Sequence, residues 1–367
     1  MTYMALATVF PRSGSSAKVR TVEEMSRPFR ERSTIHDIAA EAGVSAATVS
    51  RVLNARDHVA PETRERISRI VRERGYVVNR GARGLPYGRT GLVGLLVPLV
   101  SPNYFSTIVA GVTEALNEHD LRAVLSPTEH KHDREVTLLD RLMHGMADGA
   151  LIVLPEESSD ELERLLDSDH RFVVIDPRLP LAARIPAVSA ANTSGADQMT
   201  RHLLELGHRR IAAITGPREW LATEERRRGY HAALASAGIL PDSSLEIEAD
   251  FEIAGGARAA MSLLLDRPKP PTAIFAFNDN LAIGAIQAAR AHGLRVPEDL
   301  SVAGFDDSEH ASLITPALTT VRQPLAEMGR TAVNLLRRLI DGQRVETLHV
   351  ELGTRLVVRD STAPPVS

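Results

Sequence analysis

The sequence contains no cysteine. Disulfides and thiolate chemistry are therefore excluded, and the absence fits a reducing cytoplasm, the expected location. No apolar run approaches the roughly 20 residues that a membrane helix needs, so no membrane partner is expected. The N-terminus lacks the basic-then-apolar pattern of a secretion signal. Together these absences weigh against a secreted solute-binding protein. Catalytic signatures are missing as well. No GxGxxG follows the first apolar run, and no lysine-bearing phosphate loop is present. His130 and His132 flank Lys131, while His202 and His208 lie in a helix and at its exit, and none has zinc-site spacing. The adjacent acids Glu156–Glu157 and Asp306–Asp307 are of the kind that cap helices. The sequence therefore points to no enzyme, no cofactor and no metal.

What is present is ordinary for a folded protein, with 43% hydrophobic and 25% charged residues. The 367 residues exceed what one hydrophobic core usually serves. The net charge of −4 hides an asymmetry. Residues 1–85 carry 15 Lys and Arg against 9 Asp and Glu, a balance of +6, and the remainder carries −10. A basic head on an acidic body suggests that the head meets a polyanion. Random surface variation is the plainer alternative.

Residues 1–31 mix Ser, Arg, Pro and Gly without a period and read as disordered. Met25 lies inside this stretch and is an alternative start. Next comes "IHDIAAEAGVSAATVSRVLN", residues 35–54. Thr34 and Asp37 form a capping-box pattern. Ile35, Ile38, Ala39 and Ala42 make one apolar face, and Gly43 supplies a left-handed stop. Ser45 can cap a second helix with Val49, Val52 and Leu53 inward and Ala46, Ala47, Ser50, Arg51 and Asn54 outward. Pro61 suits the first position of a third helix, with Ile67, Ile70 and Val71 apolar. In the major groove, Ala46 and Ala47 would offer methyl contacts and Arg51 would reach a guanine edge. Ser45, Thr48 and Ser50 suit phosphates, as do His58 and Thr63 near the third helix. A small helical protein-interaction module fits the same pattern.

From Thr90 onward, short apolar runs alternate with helical segments. They are residues 91–97, 149–154, 171–176, 210–215, 272–277 and 301–305, each expected to be followed by a helix. This alternation predicts an α/β body of parallel sheets, and its length predicts two lobes. A short basic, glycine-rich linker, residues 79–89, joins head to body. Ligands in such folds sit beyond the carboxyl ends of the strands, where Asn278 and Asp306 stand. Helix capping is the structural alternative for both.

The segments "TIHDIAAEAGVSAATVSRVLN", "HVAPETRERI" and "GYVVNRGARGL" resemble the DNA-binding headpiece of the lactose-repressor (LacI–GalR) family of bacterial transcription regulators. The similarity continues through "GLVGLLVP", "LLELGHRRIAAITGP", "ERRRGYHAAL", "FNDNLAIGAIQAAR", "GLRVPEDLSVAGFDDSE" and "PALTTVRQPLAEMG", in order, from about residue 34 to about 358. The resemblance implies a helix-turn-helix headpiece over 32–78, a hinge helix over 79–89 and a two-lobed body like a periplasmic binding protein over 90–360. Lobe 1 would comprise about 90–191 and 322–351, lobe 2 about 192–321 and 352–360, with a disordered tail over 361–367. A homodimer, or a tetramer, would place headpieces on a pseudo-palindromic double-stranded DNA operator.

The resemblance also implies site residues. Leu85 would wedge into the minor groove, with Asn79, Ala82 and Arg83 along it; packing on the body is the alternative for Leu85. Here Pro86 follows that leucine where the family usually has a basic residue. Arg226 would bind the effector together with Asn278 and Asp306, and a surface arginine in an Arg-rich helix is the alternative. Tyr104, Trp220 and Phe251 would line the pocket, with core packing as the alternative for Phe251 and Trp220. Ala191-Asn192 replaces a usual Asp-Asn pair, which implies one lost polar contact. The expected function is a repressor of carbohydrate-utilisation genes, released by a sugar-like effector. The alternatives are a purine- or nucleoside-type corepressor, or a cytoplasmic sugar-binding protein.

Overall fold

The computed structural model describes residues 35–53, 59–74, 89–100, 103–265, 269–345 and 347–366. Two compact units divide at Ala82 and Arg83. The expected disordered extension, the sites Thr34, Asn54, His58, Asn79, Ala82, Arg83 and Leu85, and all of the linker except Arg89 lie outside the described residues.

The first unit holds three helices: α1 (Ile35–Ala42), α2 (Ala46–Leu53) and α3 (Pro61–Glu73). Their apolar faces meet in one small core of Ile38, Ala39, Ala42, Val49, Val52, Ile67 and Ile70. Gly43 takes φ +64° between α1 and α2, where a side chain would be strained. The Ser45 hydroxyl accepts the Thr48 N–H at 3.2 Å and caps α2. Proline starts α3, where its missing N–H is not needed.

The second unit begins with a lobe built on β1 (Leu92–Val97), β2 (Arg122–Pro127), β3 (Gly149–Val153), β4 (Phe172–Ile175), β5 (Ala187–Ala190) and the late strand β11 (His349–Leu352). These pair in parallel in the order β11-β5-β4-β3-β1-β2. Strands β1, β3 and β4 carry no polar side chain, as a sheet covered on both faces requires. Helices α4 (Asn103–Glu118) and α12 (Leu325–Ile340) cover one face and share its core. They cross closely because Gly111 and Gly329 carry no side chain. A Cβ on Gly111 would lie 2.0 Å from the Ala326 carbonyl. Helices α5 (His132–Arg141) and α6 (Ser159–Asp167) follow β2 and β3.

The second lobe has a four-stranded parallel sheet, β7-β6-β8-β9, built from β6 (Ile211–Thr215), β7 (Glu246–Glu248), β8 (Ala273–Ala276) and β9 (Ser301–Ala303). Its helices are α7 (Asn192–Glu205), α8 (Leu221–Ser236), α9 (Ile253–Leu265), α10 (Asp279–Ala291) and the short α11 (Glu309–Leu313). An antiparallel pair, β10 (Thr320–Arg322) and β12 (Arg355–Val357), lies where the chain passes between the lobes. No described helix is long and apolar enough to cross a membrane.

Two expectations need correction. The run at 171–176 is not followed by a helix: Pro177 and Pro180 disfavour one, and the chain reaches β5 through bends and a turn. The tail expected to be disordered over 361–367 is ordered as far as residue 366. Ser361 is fully buried; its hydroxyl accepts the Thr319 N–H at 2.8 Å and donates to the Val302 carbonyl at 2.6 Å. His208, also buried, contacts Ser301 Oγ and the Ala363 carbonyl, tying the tail to β9. Short polar segments of this kind carry no apolar period, so their fastening is invisible in sequence.

Candidate functional site

In the first unit, α2 presents Ala47 and Arg51, one turn apart, on an exposed face. Ser45 is exposed beside them, and Ala46, Thr48 and Ser50 are half-buried. Thr63 is half-buried in the first turn of α3. The inward positions Val49 and Val52 fix which face remains outside.

In the second unit, a cavity of about 160 Å³ opens between the lobes. All six sequence-predicted residues line it: Tyr104, Trp220, Arg226, Phe251, Asn278 and Asp306. Tyr104 stands in the first turn of α4, and its hydroxyl donates to Asp176 at 2.5 Å. Burial, then the neighbouring Asp176 carboxylate, pushes the Tyr104 phenol well above its usual range, so it stays a neutral donor. Burial also raises Asp176, while the Tyr104 hydroxyl and Arg226 act in the opposite sense.

Arg226 is not a surface arginine. It is 4% exposed, inside α8. Its Nε donates to Asn192 Oδ1 at 2.9 Å and its Nη1 to the Phe277 carbonyl at 2.5 Å. Its guanidinium carbon lies 3.9 Å from the centre of the Phe305 ring, and Nη2 is 4.0 Å from Asp306. Asn192 also donates to Glu225 at 3.0 Å, so this half of the altered pair orients the arginine from behind. Asp306 accepts a bond from Gln323 at 2.7 Å. Burial raises its carboxyl to about 6, against the opposing pull of Arg226 and Gln323. Beside it, burial and then the Asp306 charge raise Asp279 to about 8, although Thr320 and the Ser308 N–H donate to it.

Asn278 is both a helix cap and a lining residue of the cavity. Its side chain caps α10 by accepting the Leu281 N–H at 2.8 Å, and it faces the cavity. Trp220 and Phe251 form a tilted ring pair with centroids 5.3 Å apart. The pair depends on Gly216, because a Cβ there would lie 2.0 Å from the Phe251 ring. Phe251 also packs against two cores of its lobe, so the packing alternative holds together with the lining one. Leu154, Asp176 and Asp306 all line the cavity with positive φ, a strained state for side-chain-bearing residues.

Sequence reasoning missed Asp176, Asn280 and His130, which also line the cavity. Asp176 ends the apolar run 171–176. The strand-end rule that selected Asn278 and Asp306 selects it equally. His130 offered no such signal; it reaches the rim through a left-handed turn at Glu129 and His130 after β2. Among the described residues, no group of three or more acidic or histidine side chains could hold a metal ion.

This arrangement can hold a hydroxyl-rich ring. Aromatic faces cover its apolar C–H surface, while carboxylates and amides take its hydroxyls. Comparison with known proteins agrees in outline. Residues 34–79 match the family described as bacterial regulatory proteins, lacI family, and residues 200–362 match a periplasmic binding protein-like domain. The HTH-type transcriptional regulator CelR of Thermobifida fusca is 39% identical over 342 residues, 90% of this chain and 99% of that protein. A CelR–cellobiose complex superposes with a TM-score of 0.69 at 37% identity, covering 90% of this chain and 100% of that one. A lac repressor dimer bound to operator and the anti-inducer ONPF gives a TM-score of 0.80 at 30% identity, covering 91% and 100%.

Proposed function

The chain belongs to the lacI family of bacterial regulatory proteins, and from that premise we propose that it is a cytoplasmic transcription repressor released from its operator by a small sugar-like effector. Two copies would present two α2 helices to a pseudo-palindromic operator. On each, Ala46, Ala47 and Arg51 would face base edges, and Ser45, Thr48, Ser50 and Thr63 would face phosphates. Release requires that the effector bind one lobe arrangement better than the other. A ligand held by Tyr104 and Asp176 from one lobe and by Arg226, Asn278 and Asp306 from the other meets that requirement, because its contacts depend on lobe geometry.

The observation that carries the carbohydrate reading is the combination in one cleft of the Trp220–Phe251 pair with buried carboxylates and Arg226. The binding of cellobiose by the similar CelR supports it. The test is retention of genomic fragments by the full-length protein in a gel shift, followed by challenge with neutral mono- and disaccharides. Release of a retained fragment by one sugar is the expected result. A requirement for a purine or nucleoside to retain DNA would replace the inducer reading with a corepressor. Failure to retain any fragment at low salt would remove the regulator reading.

A further inference from the structure

The polar groups of the cleft are unbalanced in charge. Asp176, Asp306 and Glu252 line it, together with Asp279, which is held largely neutral by its raised carboxyl; Arg226 is the one permanent cation among the described lining residues, beside His130 and His310. Arg226 is already engaged by Asn192, the Phe277 carbonyl, the Phe305 face and the Asp306 carboxylate. Its charge is therefore already shared with the Asp306 carboxylate and the Phe305 ring, while N–H groups on Nη1 and Nη2 remain for a ligand hydroxyl. The lining residue His130 contacts Glu156 at 3.2 Å, and the same carboxylate pairs with Arg178 at 2.7 Å. Of the helix N-termini at the cleft, that of α10 is already occupied by a carboxylate of its own. The first turn of α10 carries Asp279, and the Ser308 N–H already donates to that residue.

From this imbalance we infer that the effector cleft selects by charge: it admits neutral and amino-substituted sugars and rejects sugar phosphates and sugar acids. The inference rests on the effector reading of the cleft and specifies its ligand class. A phosphate or carboxylate entering beside Asp176 and Asp306 finds its one permanent cation already shared with Asp306 and meets like charge in a partly desolvated site. A hydroxyl donates to the same carboxylates, and an ammonium pairs with them. Asp306 and Asp176 are thus specificity-determining residues as well as contacts.

Trp220, the single tryptophan of the chain, half-buried at this cleft, allows a test that needs no known effector. Its fluorescence is quenched with iodide, caesium and acrylamide at pH 8 and constant ionic strength, each constant normalised to a free tryptophan amide. Caesium is expected to exceed iodide by about twofold or more, and Asp306→Asn to bring the two closer. Asp176→Asn provides a second variant with the same expectation. Equal quenching by the two ions, or stronger quenching by iodide, overturns the inference. A ratio unchanged in both variants overturns the assignment to these two residues. In parallel, melting is followed with glucose, glucosamine, glucuronate and glucose 6-phosphate. Greater stabilisation by either anionic sugar than by glucose also overturns it. The quenching arm stands apart from the effector reading, since it reports the field of the cleft whether or not a sugar is the natural ligand.

Discussion

Asp306→Asn is expected to stabilise the protein while weakening its effector response. The Asp306 carboxyl has a folded value of about 6 against an ordinary 3.8. The folded protein therefore holds this proton more tightly than the unfolded chain does. The resulting stabilisation is fully present below pH 3.8 and is lost as pH rises through about 6. At pH 8 the ionised group costs up to about 3 kcal/mol, from roughly 1.36 kcal/mol per unit. Asparagine is neutral throughout, keeps an oxygen for Gln323, and tolerates the positive φ of 120° better than most residues. The variant should melt higher at pH 8, by roughly 5–10 °C for a body of this size. That gain should shrink toward zero near pH 4. Effector affinity should fall about tenfold or more, because a charged acceptor is lost. Thermal melts at pH 8, 6 and 4.5, with ligand titration at pH 8, provide the measurement. A variant less stable than the parent at pH 8, or equally stabilised at all three values, would refute the reasoning.

Other changes probe separate parts of the molecule. Arg51→Ala should weaken specific operator binding by about 1–3 kcal/mol and relax one operator position; equal loss on all sequences would make Arg51 a phosphate contact. Gly216→Ala should displace the Phe251 ring, shift Trp220 emission and lower effector affinity, and unchanged emission would show that the ring pair tolerates the methyl. Ser361→Ala removes partners from the buried Thr319 N–H and Val302 carbonyl, which should cost about 1–3 kcal/mol in urea unfolding. No loss there would show that the tail is held without this hydroxyl.

The sequence by itself determined the elements that rest on local rules. Ser45, Gly43 and Pro61 act as caps and stops within a few residues of where they stand, so α1, α2 and α3 were legible with their inward faces. The apolar runs that became β1, β3, β4, β6, β8 and β9 are buried on both faces and read as continuous stretches. The strand-end rule found Asn278 and Asp306, and resemblance supplied Tyr104, Trp220, Arg226 and Phe251. Only the tertiary structure decided the rest. Strands β2, β7 and β11 are partly polar edge strands, and they exist because a neighbouring strand pairs with them. Whether Arg226 was solvated or buried depended on Asn192, Phe277 and Phe305, up to 79 positions away along the chain. The Tyr104–Asp176 bond joins groups 72 residues apart, and the Ser361–Val302 bond joins groups 59 apart. Local preference fixes backbone conformation over a turn or a strand. The charge balance of the cleft and the anchoring of the tail arise from groups that meet only after the lobes have closed their cores, and no local pattern encodes that meeting.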